Sequence, residues 1–291
     1  MASVAIRKPK SFAELLLENQ KFIIGLLIFL LMVAISIAAN VFIDTGLRVS
    51  GSLPVRQPPG EENLLGTDSL GRSVASELGQ AIPNSLQVGL IAAFLGTLIG
   101  AVIGFVSGYF GGVIDALLRI LIDVFLSVPS LLFLILIASL LRGVGVRLMA
   151  TIIGLFAWAW PARQVRAQVL SLKERGFVQV AQLSGMSGLE IIFVELMPHM
   201  LPWLGANFVN AFIAAVLAES GLSILGLGPQ RDMTLGMMIY WSLNYGAILQ
   251  NMWWWWGTPV IALIALFLAL YLIHIGLEEV SNPRLRSQGG H

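Results

Sequence analysis

Long runs without a charge dominate this chain. Residues 22–43 form one run, the interval bounded by Glu77 and Asp115 holds a second that ends near Gly111-Gly112, and the interval from Asp123 to Arg142 holds a third. Residues 148–162 are a shorter fourth, with Arg163 and Arg166 able to carry their charges past the apolar edge on long stems. Residues 196–218 are a fifth. The 45 residues between Asp232 and Glu278 lack Asp, Glu, Lys and Arg, and they accommodate a re-entrant or surface stretch followed by a sixth run, 257–277. Crossing ~30 Å of hydrocarbon takes about 20 apolar residues folded as a helix, because backbone groups left unpaired in lipid cost several kcal/mol each. The pattern therefore predicts an all-α membrane protein with six transmembrane helices. A segment 1–21 and a tail 280–291 then share one side of the membrane, with a transmembrane domain over 22–279, an outer loop over 44–83 and a long inner segment over 163–198.

Composition strengthens this reading. AVILMFWYC residues make up 57% of the chain and charged residues 11%, against about 25% charged in soluble domains. The net charge is +1, from 17 Lys and Arg against 16 Asp and Glu, which gives nucleic acid no basic field to bind. With no cysteine and only His199, His274 and His291, a metal cluster has few ligands to draw on. Lys and Arg concentrate in cytoplasmic segments of membrane proteins. Placing the N-terminus inside puts 11 of the 17, including all four lysines, on the inner side. Four consecutive tryptophans, 253–256, stand where an aromatic belt would anchor the last span. The N-terminal run of 22 residues exceeds a secretion-signal core and reads as an uncleaved anchor.

The chemistry of common catalysts is missing. No lysine follows a glycine, so there is no Walker A loop, and neither His-Glu-x-x-His nor Gly-x-Ser-x-Gly occurs. Asp115, Arg119 and Asp123 lie at helical spacing and read as a self-neutralised stripe. His274 sits within a turn of Glu278 and reads as a packing histidine. Glu219, followed by Ser220 and Gly221, falls near the outer end of the fifth run as a gating or structural candidate. Asn207, Asn210, Ala211, Ala214, Ala218 and Gly221 share one helix face, which either packs closely against a neighbour or lines a wet path. Pro129 should kink the third span, with Ser127 and Ser130 able to satisfy the freed carbonyls.

The inner segment holds two short amphipathic stretches that meet at a glycine. Phe177, Val180, Ala181 and Met186 supply apolar anchors, and Gly185 permits a left-handed turn between the helices. Gln179-Val180-Ala181, three residues, Gly185, nine residues, then Glu195-Leu196-Met197-Pro198 resembles the cytoplasmic signature of bacterial ABC-transporter permeases. The outer loop carries Gly66-Thr67-Asp68-Ser69-Leu70-Gly71-Arg72. In it Asp68 can cap a helix starting near Ser69, and Gly66 and Gly71 allow tight turns. This stretch, Glu219-Ser220 with the Leu-Ser-Ile-Leu-Gly-Leu-Gly run ending at Gly228, and Asn282-Pro283-Arg284 resemble motifs of one branch, the second (C-type) permease subunit of dipeptide, oligopeptide and nickel importers.

The resemblance implies a type I ABC importer permease architecture in a bacterial or archaeal cytoplasmic (inner) membrane. It implies a sister permease forming a heterodimer, two cytoplasmic ATPase subunits that hold the ATP and Mg, and an external solute-binding protein. It assigns the ATPase contact to Phe177, Gln179, Val180, Ala181, Gly185, Met186 and Pro198. Peptides are the leading cargo. Oligosaccharides are the alternative, with Trp241, Tyr245 and the tryptophan run able to stack on sugar rings; nickel and opines are further alternatives, and a secondary transporter is a distant one.

Overall fold

In the computed structural model residues 12–61, 63–141 and 143–281 are described. The basic residues Arg7, Lys8 and Lys10, Arg142, and the closing Asn282-Pro283-Arg284 with Arg286 lie outside them. The order is α1 (Phe12–Glu18), α2 (Gln20–Phe42), a 3-10 turn (Thr45–Arg48), α3 (Val74–Phe110), α4 (Gly112–Ser127), α5 (Ser130–Leu140), α6 (Val146–Phe156) and α7 (Ala159–Lys173). Then come α8 (Gly176–Leu183), α9 (Gly188–Glu190), a π-helical segment (Ile191–Leu196), α10 (Met197–Ile224), α11 (Leu235–Asn244) and α12 (Trp253–Ser281). The described residues contain no strand beyond one isolated bridge, Thr67 with Ser73.

The spans depart from the six uninterrupted helices read from the sequence. Four are long and apolar enough to cross a membrane alone: α2, α3, the continuous run Gly188–Ile224, and α12. The third expected span is a broken pair, α4 and α5, bent by 73°. Pro129 stands at the N-terminus of α5, and Ser127 Oγ donates to Val124 O at 2.8 Å. Pro129 therefore divides two helices instead of kinking one. The fourth expected span is the 11-residue α6, rising about 16 Å, followed after a break at Ala157-Trp158 by α7.

Glycines set the closest packing. Gly96, Gly100, Gly104 and Gly108 form a smooth groove along α3, opposite Ala157, Pro161, Val165 and Val169 in steps of four, so α3 and α7 run parallel. A Cβ on Gly100 would come within 2.7 Å of Trp158 O, and one on Gly104 within 2.8 Å of Ala162 O. Such close approach replaces the hydrophobic drive that lipid cannot supply. Gly25 of α2 and Gly276 of α12 do the same for that pair. Pro83 inside α3 cannot donate to Gly79 O. That carbonyl accepts instead from Ser36 Oγ at 2.9 Å and Asn40 Nδ2 at 2.7 Å, both from α2. A helix break in sequence thus becomes a polar tie between spans.

The charges near the start of α4 are not self-neutralised. Asp115 is held bidentately by Arg166 of α7, at 2.5 and 2.7 Å, and also accepts from Ser107 Oγ. Asp123 pairs with Arg163 at 2.5 Å, while Arg119 approaches it only to 3.8 Å. Two arginines read as snorkelling are in fact cross-helix partners. Charge on α4 therefore fixes α7, reinforcing the contact made by the glycine groove.

Candidate functional site

The outer loop folds around its own motif. Gly66 and Gly71 both have φ of +72°. Thr67 Oγ1 accepts from Gln57 N and donates to Pro54 O. Asp68 is buried and caps no helix; its Oδ1 accepts from Leu70 N and Arg72 N, both at 2.8 Å, and its Oδ2 from Arg72 Nε at 2.6 Å. Arg72 also reaches Glu77 at 2.8 Å. The following helix starts later than expected, at Val74, with Ser73 as its cap. Seven consecutive residues, Gly66 to Arg72, thus shape a loop whose polar groups face inward.

The tryptophan run is mostly interior. Trp255 is wholly buried and Trp254 nearly so, with Trp254 Nε1 donating to Thr67 O at 3.1 Å, whereas Trp253 is 63% exposed. The run starts α12 and seats the outer loop on it; Trp253, and in part Trp256, keep surface for an interfacial belt. Tyr245 meets Trp241 and Trp255 in tilted contacts, its ring 6.0 Å from the first and 6.1 Å from the second.

Glu219 is fully buried on α10, and its Oε1 accepts from Ser223 Oγ and Thr234 Oγ1, both at 2.6 Å. Thr234 also caps α11 by accepting from Met237 N. The strap around it is tied on every side. Asp232 Oδ2 accepts from Val146 N at the start of α6, Asn84 Nδ2 donates to Met233 O, and Ser85 Oγ accepts from Leu235 N. Ser220 is buried beside Glu219. The roles of Asp232, Asn84 and Ser85 escape a motif search; the signal present is an Asn-Ser pair directly after Pro83, polar residues in an apolar helix.

Pro129, Asn207 and Asn210 come together. A cavity of about 380 Å³ lies where the α4–α5 break and the α6–α7 break face α10. The first break contributes Phe125, Pro129 and Ser130, the second Phe156 and Trp160, and α10 its Asn207, Asn210, Ala211, Ala214 and Ala218. The small face of α10 is thus a wall of open space. None of the cavity's lining residues is ionisable. Glu219 and Ser220 do not reach it.

In the inner segment Gly185 has φ of +82°, and Met186 N donates to Ala181 O across the turn, closing α8 in a Schellman motif. Ser187 and Glu190 form a capping box for the next turn. Ala181 and Val178 point into the segment's own core with Ile191, Ile192 and Leu196, and Phe177 stacks on His199 at 4.6 Å. Ala181 is therefore interior, contrary to its expected place on the contact face. Val180 is 63% and Leu183 89% exposed; Gln179 and Pro198 are exposed beside half-buried Met186. Pro198 and Pro202 cannot donate backbone hydrogen bonds, and the π-helical turn stands immediately before them.

Comparison with known proteins agrees with this geometry. Over 281 residues the chain is 34% identical to a putative peptide transport system permease protein of Brucella abortus, covering 95% of this chain and 92% of the relative. It is 30% identical to the dipeptide transport system permease protein DppC of Alkalihalophilus pseudofirmus, covering 93% and 88%. It is 29% identical to the oligopeptide transport system permease protein OppC of Mycobacterium tuberculosis, covering 63% and 64%. Its fold matches a chain of the inward-facing MetNI methionine ABC transporter with a TM-score of 0.54 at 20% identity, covering 69% of this chain and 93% of that one. This is the type I ABC importer permease architecture. The profile of the family described as binding-protein-dependent transport system inner membrane component matches residues 96–287, and the chain belongs to that family as a multi-pass membrane permease subunit.

Proposed function

We propose that this chain forms half of the translocation pathway of an ATP-driven peptide importer. A sister permease supplies the other half, two cytoplasmic ATPase subunits hold ATP and Mg, and an external solute-binding protein delivers the cargo. The inner face of a cytoplasmic membrane carries both termini, as the distribution of Lys and Arg supports. The observation that carries this reading is the ion-free cavity where two broken helices meet α10, in a chain whose relatives are named for peptide transport. Broken helices bordering a cavity are where membrane proteins place solute paths, since their freed backbone groups can meet water or cargo.

Val180 and Leu183 are the apolar contacts offered to an ATPase groove, with Gln179 and Pro198 also exposed. Phe177, Ala181, Gly185 and Met186 hold the segment in shape. Outer-loop residues Gly66, Thr67, Asp68, Gly71 and Arg72 keep a platform in place, and Glu219 and Ser220 fasten the strap. A secondary transporter is disfavoured because the carboxyl of Glu219 is sealed from the cavity. The sugar-stacking alternative is disfavoured by relatives that are named for peptide transport.

The test is uptake of a radiolabelled tripeptide into proteoliposomes holding the permease pair and binding protein, with and without the ATPase subunits. Uptake should require both ATP and those subunits. Equal uptake without them overturns the reading.

A further inference from the structure

The cavity wall presents a carboxamide at mid-helix. Asn210 lies midway along the 28 residues of α10, about 20 Å from either end, and is exposed into the cavity. No hydrogen bond joins it to any described residue. Asn207, one turn earlier, donates to Trp203 O of its own helix at 3.2 Å. A carboxamide offers two donors and two acceptors, and Asn210 presents them to the open space of the cavity. Phe125, Phe156 and alanines make up much of the wall around it, and Ser130 and Trp160 line the same cavity without bonding to it. A second feature bears on the choice of ligand: nothing in this wall is ionisable. An ionised side chain about 4 Å from a charged cargo group interacts with it strongly even at the effective dielectric of a partly wet site, so even one would make the path discriminate by charge.

We propose that Asn210 is a specificity-determining residue of this half of the pathway. It pairs with main-chain amides of the cargo, and the ion-free wall leaves the cargo's side-chain charge unread. An amide group recognises a peptide group through donor and acceptor together, and every peptide bond presents both. The inference rests on the peptide reading.

The test uses the complete importer in proteoliposomes, with binding protein saturated by one of three matched tripeptides: Ala-Glu-Ala, Ala-Gln-Ala or Ala-Lys-Ala. Wild type should carry all three within about threefold. Asn210→Asp should slow the acidic peptide at least tenfold relative to the basic one, Asn210→Lys should reverse that order, and Asn210→Ala should slow all three alike. Asn210→Cys gives a second readout in a chain without native cysteine: a soluble thiol reagent should label it, and cargo should slow the labelling. Unshifted charge ratios in both charged variants, or a cysteine that is never labelled, overturn the role of Asn210 while leaving the peptide importer standing. A wild-type complex that hydrolyses ATP and carries none of the three peptides overturns both.

Discussion

Thr234→Val removes one hydroxyl and almost no volume, yet that hydroxyl has two duties. It donates to the buried carboxyl of Glu219 at 2.6 Å and accepts from Met237 N at 3.1 Å as the cap of α11. Losing a cap costs about 1 kcal/mol, and losing a hydrogen bond to a buried carboxyl roughly 1.5–3 kcal/mol. Ser223 still donates to the same oxygen, so the lower part of that range applies and the sum is about 2.5 kcal/mol. The melting temperature of the purified permease should fall by roughly 4 °C. Ser223→Ala should cost less by itself, because it removes a donor without a cap. Combining the two leaves the carboxyl with neither hydroxyl, and the double variant should lose more than the sum of the singles by at least about 0.5 kcal/mol. Thermal unfolding followed by tryptophan fluorescence measures all three. A Thr234→Val protein that melts with wild type, or a double variant that is simply additive, refutes the idea that Glu219 fastens the strap.

Three further outcomes are expected. Single cysteines at Ser3 and Ser287 should resist an impermeant thiol reagent in intact cells, and one at Ser52 should react; labelling at either terminus before lysis reverses the orientation. Val180→Asp or Leu183→Asp should leave the permease folded and detach the ATPase subunits in copurification, whereas Ala181→Asp should reduce the amount of permease itself, because it buries a charge in the segment's own core; a normally accumulating Ala181→Asp protein that loses only the ATPase contradicts this assignment. Gly104→Leu drives a side chain against Ala162 O and Val165, an overpacking of several kcal/mol, and accumulation at wild-type level in membranes contradicts the close approach of α3 and α7.

Hydrophobic runs located the membrane helices well because the lipid requirement acts on every residue of a span. They failed where a partner element supplies what the run lacks. Residues 148–162 looked like one short crossing, but the chain breaks at Ala157-Trp158, where the glycine groove of α3 begins and α7 takes up the contact. The Asp115, Arg119 and Asp123 stripe looked self-sufficient by helical spacing, and spacing cannot reveal that Arg163 and Arg166 stand opposite. Asp68 had the chemistry of a helix cap and was used to close a turn on Arg72 instead. The clustering of Pro129 with Asn207 and Asn210 was legible as separate candidates; only the fold brings the break and the amides to the same space. Ala181 shows the complementary limit. Its position in a motif was readable, while which way it faces depends on the turn at Gly185 and on how α8 lies against the π-helical segment.

The glycine groove of α3 has a mechanical consequence. A helix laid backbone to backbone along another over four successive glycines cannot tilt against it without opening a void or colliding with carbonyls. Over that stretch α3 and α7 act as one stiff arm, linked further through Asp115 of α4, which is bonded by both Ser107 of α3 and Arg166 of α7. α7 leads within two residues into α8, and α3 reaches, about 55 Å away along its 37 residues, the outer loop at Ser73. A displacement of α7 therefore carries the Gly96–Gly108 part of α3 with it, and Pro83 lies between that part and the platform seated on Trp254.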